Sequence, residues 1–407
     1  MFNMKIGRVH IGIIYMLSIF SYGLVDLTSG VQVYRVLSVL IFIFIVVWTF
    51  DKREILIPPK SYVVIISFLI FTSLVSYNSF GYHQATAYLN ILLLIYVSVF
   101  CIRTAGHEKI ISLYMFFCYL FSLVAIFQEF IHIVGLDVSF FKTFIKVENI
   151  TNSGPFLRVF SLTGEPSHLA LLLMPAVFML IAQFLSSEEI VKVKRRYKIT
   201  ISSAYILTFS TLAYSYLAIF LVVFLLVKLK NAKVYFLVCT MVPALVIMST
   251  TESVSERLET IQYVFDVDDN VNSSVFAIQS NLQVTKSVLS NSPFLGNGIF
   301  THMDSYLNKI GDIYYIDNNF RLLNIRDGSS IYLRLLSEVG VVGLMLYWLF
   351  IVFSIYKYRN NYVYLSLVAA LICFGLRNGN YDTPMLWFIM TLFILNDGNF
   401  KNTGSIE

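Results

Sequence analysis

The sequence predicts an all-α polytopic membrane protein of about 12 transmembrane helices, and three observations predict it. Hydrophobic residues make up 57% of the 407-residue chain, and the mean hydropathy is +0.75. Charged residues are only 13%, about half the share of a soluble domain. The apolar residues fall in runs near the ~20 residues that cross a bilayer as helix, far too long and continuous for barrel strands. The same arithmetic excludes disordered, collagen-like, coiled-coil and disulfide-scaffold chains. It also makes the net charge of +5 a matter of topology before nucleic acid.

In chain order the runs are 9–26, 31–50, 61–77, 85–102, 110–134, 164–185, 199–213, 214–229, 233–250, 331–356, 361–376 and 384–396. Met1 to Arg8 precede the first, which reads as an uncleaved span because another follows almost at once. The seventh and eighth share one stretch from Ile199 to Val227, so a single long broken helix competes with two. With a cytoplasmic N-terminus, the cytoplasmic segments hold eighteen of the 29 Lys and Arg, a positive-inside pattern. The cluster Lys192, Lys194, Arg195, Arg196 and Lys198 is its strongest anchor. Both termini are then cytoplasmic. Cys101, Cys118, Cys239 and Cys373 all lie in apolar runs and read as small apolar side chains, with no disulfide or metal spacing.

Polar residues gather in two extracytoplasmic loops of a single membrane domain, 135–163 and 251–330. The larger loop, between spans 9 and 10, carries ten acids and five bases. Within it, Val254, Leu258, Ile261 and Phe265, and then Val275, Ile278, Leu282 and Leu289, recur at amphipathic helical spacing. Any chemistry is expected on this face.

Three clusters could carry it. In Arg158 to His168, Thr163, Glu165 and Pro166 fit a helix start with cap, acid and first-turn proline. That structural explanation leaves Arg158 unexplained. A basic group beside a helix N-terminus makes an anion site, with Glu165 as a neighbouring general base. In Arg326 to Gly343, Arg334 and Glu338 stand four apart inside an apolar helix, where charge is costly unless matched or facing a polar cavity. They read either as a mutual pair or as a substrate-facing arginine held by Glu338. Gly340 and Gly343 permit close helix approach. In Arg377 to Asp382 the arginine reads as a snorkelling turn residue or as the third basic member of the site. Weaker signals are set aside. Gly296-Asn297-Gly298 lacks a third glycine, Asp266, Asp268 and Asp269 read as a solvated loop, and the six histidines show no ligand spacing.

These clusters, in this order, resemble the bacterial O-antigen polymerase family within the O-antigen ligase and polymerase superfamily. The carriers are RVFSLTGEPSHLA at 158–170, LTFSTLAYSYLAIF at 207–220, SPFLGNGI at 292–299, DGSSIYLRLLSEVGVVGL at 327–344 and GLRNGNYDTPMLWF at 375–388. The resemblance implies a GT-C-like helical glycosyltransferase of the bacterial inner membrane. It would move a growing glycan from undecaprenyl diphosphate onto the next lipid-linked repeat, beside membrane lipid and a chain-length-regulating co-polymerase, without cofactor, metal or nucleic acid. Two departures matter. Ser329-Ser330 stand where ligases carry a His-Asn type pair, which favours polymerase over ligase, and the loop near Ser274 lacks an arginine often seen upstream of the glycine pair.

The reaction fits the residues. A lipid diphosphate gains charge as it leaves, which suits arginine donors in a partly dry pocket. Arg158, Arg334 and Arg377 form the expected leaving-group clamp. Glu165, then Asp327, then His168 are the expected bases. Arg326, Arg257, Arg321, Tyr332, Glu338 and Tyr381 are expected substrate contacts. A ligase, and a transporter or flippase of lipid-linked sugars, are the alternatives; the latter predicts inverted repeats and interrupted helices near the midplane.

Overall fold

The computed structural model describes residues 8–21, 33–52, 62–63, 67, 82–143, 150–186, 192–228, 231–249, 273–313 and 324–395. Of this, 81% is helical, in thirteen α-helices. They are α1 (Arg8–Ser21), α2 (Val33–Lys52), α3 (Tyr82–Ala105), α4 (His107–Ile133), α5 (Pro166–Ser186), α6 (Arg195–Leu207), α7 (Thr211–Val227), α8 (Ala232–Ser249), α9 (Ser273–Asn291), α10 (His302–Ile313), α11 (Ile331–Tyr358), α12 (Tyr362–Arg377) and α13 (Pro384–Leu395). A two-residue hairpin, β1 (Asn152–Ser153) with antiparallel β2 (Phe156–Leu157), interrupts the loop after α4.

Four stretches are long and apolar enough to cross a membrane: 85–105, 107–133, 166–186 and 331–358. Six more helices are apolar but shorter. These ten coincide with ten of the expected runs. Of the third run, 61–77, only residues 62, 63 and 67 are described. The seventh and eighth are two helices, broken at 208–210 rather than at 213–214. Phe209 takes φ 40°, a left-handed turn that ends α6, and the Thr208 hydroxyl donates back to Tyr205 O. The Tyr205 hydroxyl donates to Ala213 O and the Tyr214 hydroxyl to Ile206 O, tying the two helices together at the turn.

The centre of the bundle is α5, which packs on α12, α6, α7 and α4. Its apolar residues bury on nearly every side, as expected of a helix surrounded by other helices. In α11 the opposite holds: Met345, Leu349, Val352 and Phe353 are exposed, an outward apolar surface. Cross-contacts sort the helix ends. One end of the bundle brings together Tyr34 with Asp382, Tyr88 with Phe300, Arg158 with Phe209, and Arg334 with Gly379. The other end brings Asn231 and Lys228 to Tyr362.

At the first end, α9 and α10 pack on each other and on the start of α11, with a small core of Phe276, Val284, Tyr306 and Ile310. The buried stripe of α9 runs through Ala277, Asn281, Val284, Thr285 and Val288, not through the expected Ile278, Leu282 and Leu289, which are half-buried. Polar contacts to α10 and α11 turn the helix onto this face. The expected helix at 254–265 lies outside the described residues.

Candidate functional site

The site is built on the start of α11. Ser330 caps it, its hydroxyl accepting from the Leu333 N–H at 3.1 Å. One turn in, Arg334 Nε donates to Glu338 Oε1 at 2.9 Å, with both side chains buried. A lone buried pair seldom repays its own desolvation, and here further partners are present. Arg334 Nη1 donates to Gly379 O at 2.9 Å, and the His302 N–H reaches Glu338 Oε1 at 3.3 Å. The guanidinium lies 4.3 Å from the ring centre of Tyr381 and 5.4 Å from that of Phe300. Burial, and then the Glu338 carboxylate, push the Tyr381 phenol well above its ordinary range. Arg334 is thus paired with Glu338, and a second nitrogen, Nη1, braces α11 against the turn after α12.

Directly after Glu338 the helix breaks. Gly340 takes φ 69° and ψ −165°, and the loop 293–298 fills the gap. The N–H groups of Asn297 and Gly298 donate to Ser337 O and Glu338 O, and those of Val341 and Val342 donate to Pro293 O and Phe294 O. Every backbone group freed by the kink at these four positions finds a partner. The approach leaves no room for a side chain: a Cβ on Gly340 would stand 2.3 Å from Phe294 O, and one on Gly296 2.6 Å from the Glu338 carbonyl carbon. Gly296-Asn297-Gly298 is therefore a dock for the kink.

His302 stands at no ligand spacing in the sequence, yet it is the hub of this end. Its ring is buried, with Nδ1 2.7 Å from Ser337 Oγ and Nε2 2.7 Å from Asn281 Oδ1. Asn281 Nδ2 donates to Ala277 O and Ser329 Oγ, which leaves Oδ1 as the acceptor and makes Nε2 the protonated nitrogen. Burial, and then the Arg334 charge, push the imidazole down to about 3, so it is neutral at physiological pH. These partners stand 21 and 35 residues away in sequence, so no local spacing could announce them.

The turn 324–330 lies against this hub. Asp327 Oδ1 accepts from Asn324 Nδ2 and from the Ser329 N–H, a closed Asx turn. A Cβ on Gly379 would stand 1.4 Å from Asp327 O, so the turn and the 378–380 segment touch through backbone. Arg326 is exposed. Tyr332 faces α12 instead, its hydroxyl on Ile372 O and its ring stacked on Trp348. Arg257 and Arg321 lie outside the described residues, as do Asp266, Asp268 and Asp269.

A second group forms where α6 meets α7. Arg158 is buried; its Nε donates to Phe209 O at 3.2 Å and Nη1 to Thr151 Oγ1 at 3.1 Å. The guanidinium thus caps the Phe209 carbonyl just past the C-terminus of α6. Two residues of α4, also missed from sequence, hold its loop. Gln128 accepts from the Phe160 and Ser161 N–H groups and donates to Ser161 O, while Glu129 Oε2 accepts from the Leu157 N–H at 3.0 Å. Arg377, the last residue of α12, is half-buried, and α12 packs on α7. Glu165 is half-buried and takes a 2.7 Å hydrogen bond from Ser167 Oγ. Thr163 does not cap α5 as expected: its hydroxyl faces Phe160 O and Glu165 O, and Glu165 O accepts from the first turn. His168 is exposed.

The structure thus joins Arg334, Glu338 and Tyr381 in one cluster and sets Arg158 and Arg377 beside α7. Among the described residues no three His, Cys, Asp or Glu side chains are grouped to hold a metal ion. No family model matches this chain, and no curated protein matches it.

Proposed function

We propose that this chain is a multi-pass glycosyltransferase of the bacterial inner membrane, with about 12 spans and cytoplasmic termini. It polymerises lipid-linked oligosaccharide repeats of the O-antigen or capsule type on the extracytoplasmic face. The donor glycan leaves undecaprenyl diphosphate, and the acceptor is the next lipid-linked repeat. The observation that carries this reading is the beginning of α7. Ser210 Oγ, Thr211 Oγ1 and the Tyr216 hydroxyl are buried there without a partner among the described residues, next to the Phe209 carbonyl that Arg158 holds. Such donors beside a helix N-terminus suit a phosphate.

In this reading Arg377, with Arg158, neutralises the diphosphate as charge develops on it. Arginine charge can take a metal's part, so the reaction is metal-independent. Glu165, at the start of α5, accepts the proton of the attacking hydroxyl. Asp327, closed in its Asx turn, and exposed His168 follow it as candidates. Arg334 and Glu338 set the geometry of the turn carrying Arg377, and exposed Arg326 meets the substrate. Polymerisation is preferred to ligation because the only described histidine beside Ser329 is His302, and both of its ring nitrogens are engaged. It is preferred to transport because residues 341–358 cross about 27 Å by themselves. The Gly340 break therefore falls at the end of a span and not at its midplane.

The test is Glu165→Ala in cells. Loss of the glycan ladder with continued export of single repeat units supports the enzyme; loss of export itself supports a transporter.

A further inference from the structure

The opposite end of the bundle carries a basic arrangement that the proposed reaction does not use. Lys228 follows the last residue of α7, and its Nζ lies 4.3 Å from the centre of the Tyr362 ring. Asn231 Nδ2 donates to the hydroxyl of that same tyrosine at 2.6 Å. Arg359 caps the C-terminus of α11 and stands over Tyr356, 5.0 Å from the ring centre. Tyr362, whose ring Lys228 covers, begins α12 only three residues after Arg359, so the two cations flank one short connection; in keeping with this, burial, and then the Arg359 charge, hold the Lys228 ammonium below its ordinary range. Among the described residues no carboxylate pairs with either.

Two like charges fixed together are unfavourable unless an anion joins them. The adjacent start of α12 does not relieve them, because Asn361 Oδ1 already accepts from the Val363 and Tyr364 N–H groups. What leads to the pair is apolar. Val352, Phe353 and Tyr356, 58%, 63% and 67% exposed, run along the outward side of α11 down to Arg359. We propose that Lys228 and Arg359 bind the phosphate headgroup of an anionic phospholipid whose acyl chains lie on that face of α11. Basic pockets between spanning helices are suited to such headgroups, and the site would join the α7–α8 and α11–α12 connections that meet at Tyr362.

The test compares the purified full chain in nanodiscs of phosphatidylcholine with and without phosphatidylglycerol, reading co-purified lipid by native mass spectrometry and the unfolding temperature. Phosphatidylglycerol is expected to bind and to raise the unfolding temperature. Lys228→Gln/Arg359→Gln is expected to weaken that binding roughly thirtyfold, from the contribution of two basic residues beside an anionic leaflet, while unfolding like the parent in pure phosphatidylcholine. Lys228→Arg/Arg359→Lys keeps the charge and should keep the lipid, which separates loss of the site from loss of the fold. Three results would overturn the proposal: an unchanged response in the double glutamine variant, an equal loss in Lys192→Gln/Lys194→Gln, or inorganic phosphate stabilising the protein as well as the lipid does.

Discussion

Arg334 and Glu338 show what a charged pair does inside an apolar helix. Their value lies in what else they hold: the Gly379 carbonyl, the His302 N–H and the ring of Tyr381. Removing one charge strands the other in a dry site, at about 3–5 kcal/mol. Arg334→Met should therefore destabilise more than Arg334→Met/Glu338→Leu, measured by thermal unfolding in detergent; the reverse order would show that the pair is not coupled. His302 gives a pH dependence of definite sign. The unfolded imidazole takes up a proton near 6.5 and the folded one only near 3. Its contribution to stability is complete above pH 6.5 and declines by about 1.4 kcal/mol per pH unit below it. His302→Gln should be less stable than the parent at pH 7, and its stability should fall less steeply between pH 6.5 and 5. Equal slopes would remove His302 from the account.

At the scale of elements, the break in α11 and the loop that fills it are one unit. Gly340→Ala places a Cβ against Phe294 O at a left-handed φ, and should cost about 3 kcal/mol or more. Gly154→Ala, also left-handed but with nothing within 4 Å, should cost only ~1 kcal/mol; similar losses at both sites would contradict the docking role. Because Gly296 and Gly340 serve one contact, their alanine variants should be less than additive. This is also where sequence reading reached its limit. Apolar runs set the helices because twenty residues of hydrocarbon-compatible chain have few other solutions. Arg334 and Glu338 were legible because charge in such a run demands an explanation. The role of His302 was not, since its partners come from α9 and α11, and neither was that of Gln128, a polar residue whose only distinction is the loop it clamps. The start of α7 is visible as serine, threonine and tyrosine in an apolar run, but not as the place where Arg158 reaches the Phe209 carbonyl.

For the whole molecule, the contacts divide the helix ends into two sets, one rich in cations at connections and one carrying the kink, the hub and the arginine-flanked start of α7. In the proposed topology the first set faces the cytoplasm. Single cysteines introduced at Lys192 and Arg359 in a chain lacking its own cysteines should react with impermeant reagents only from the cytoplasmic side, and those at Phe294 and Arg326 only from the outside; labelling of all four from one side would break the topology. The central claim is that the outer end polymerises glycan using arginine charge. It is tested most directly by reconstituting the purified chain with undecaprenyl diphosphate-linked repeat units and no metal or nucleotide, beside an Arg377→Gln variant with an unchanged unfolding temperature. The account predicts long polymer from the parent and at least a hundredfold less from the variant, roughly the loss of one transition-state charge contact. No polymer from the parent, or equal polymer from both, would contradict it.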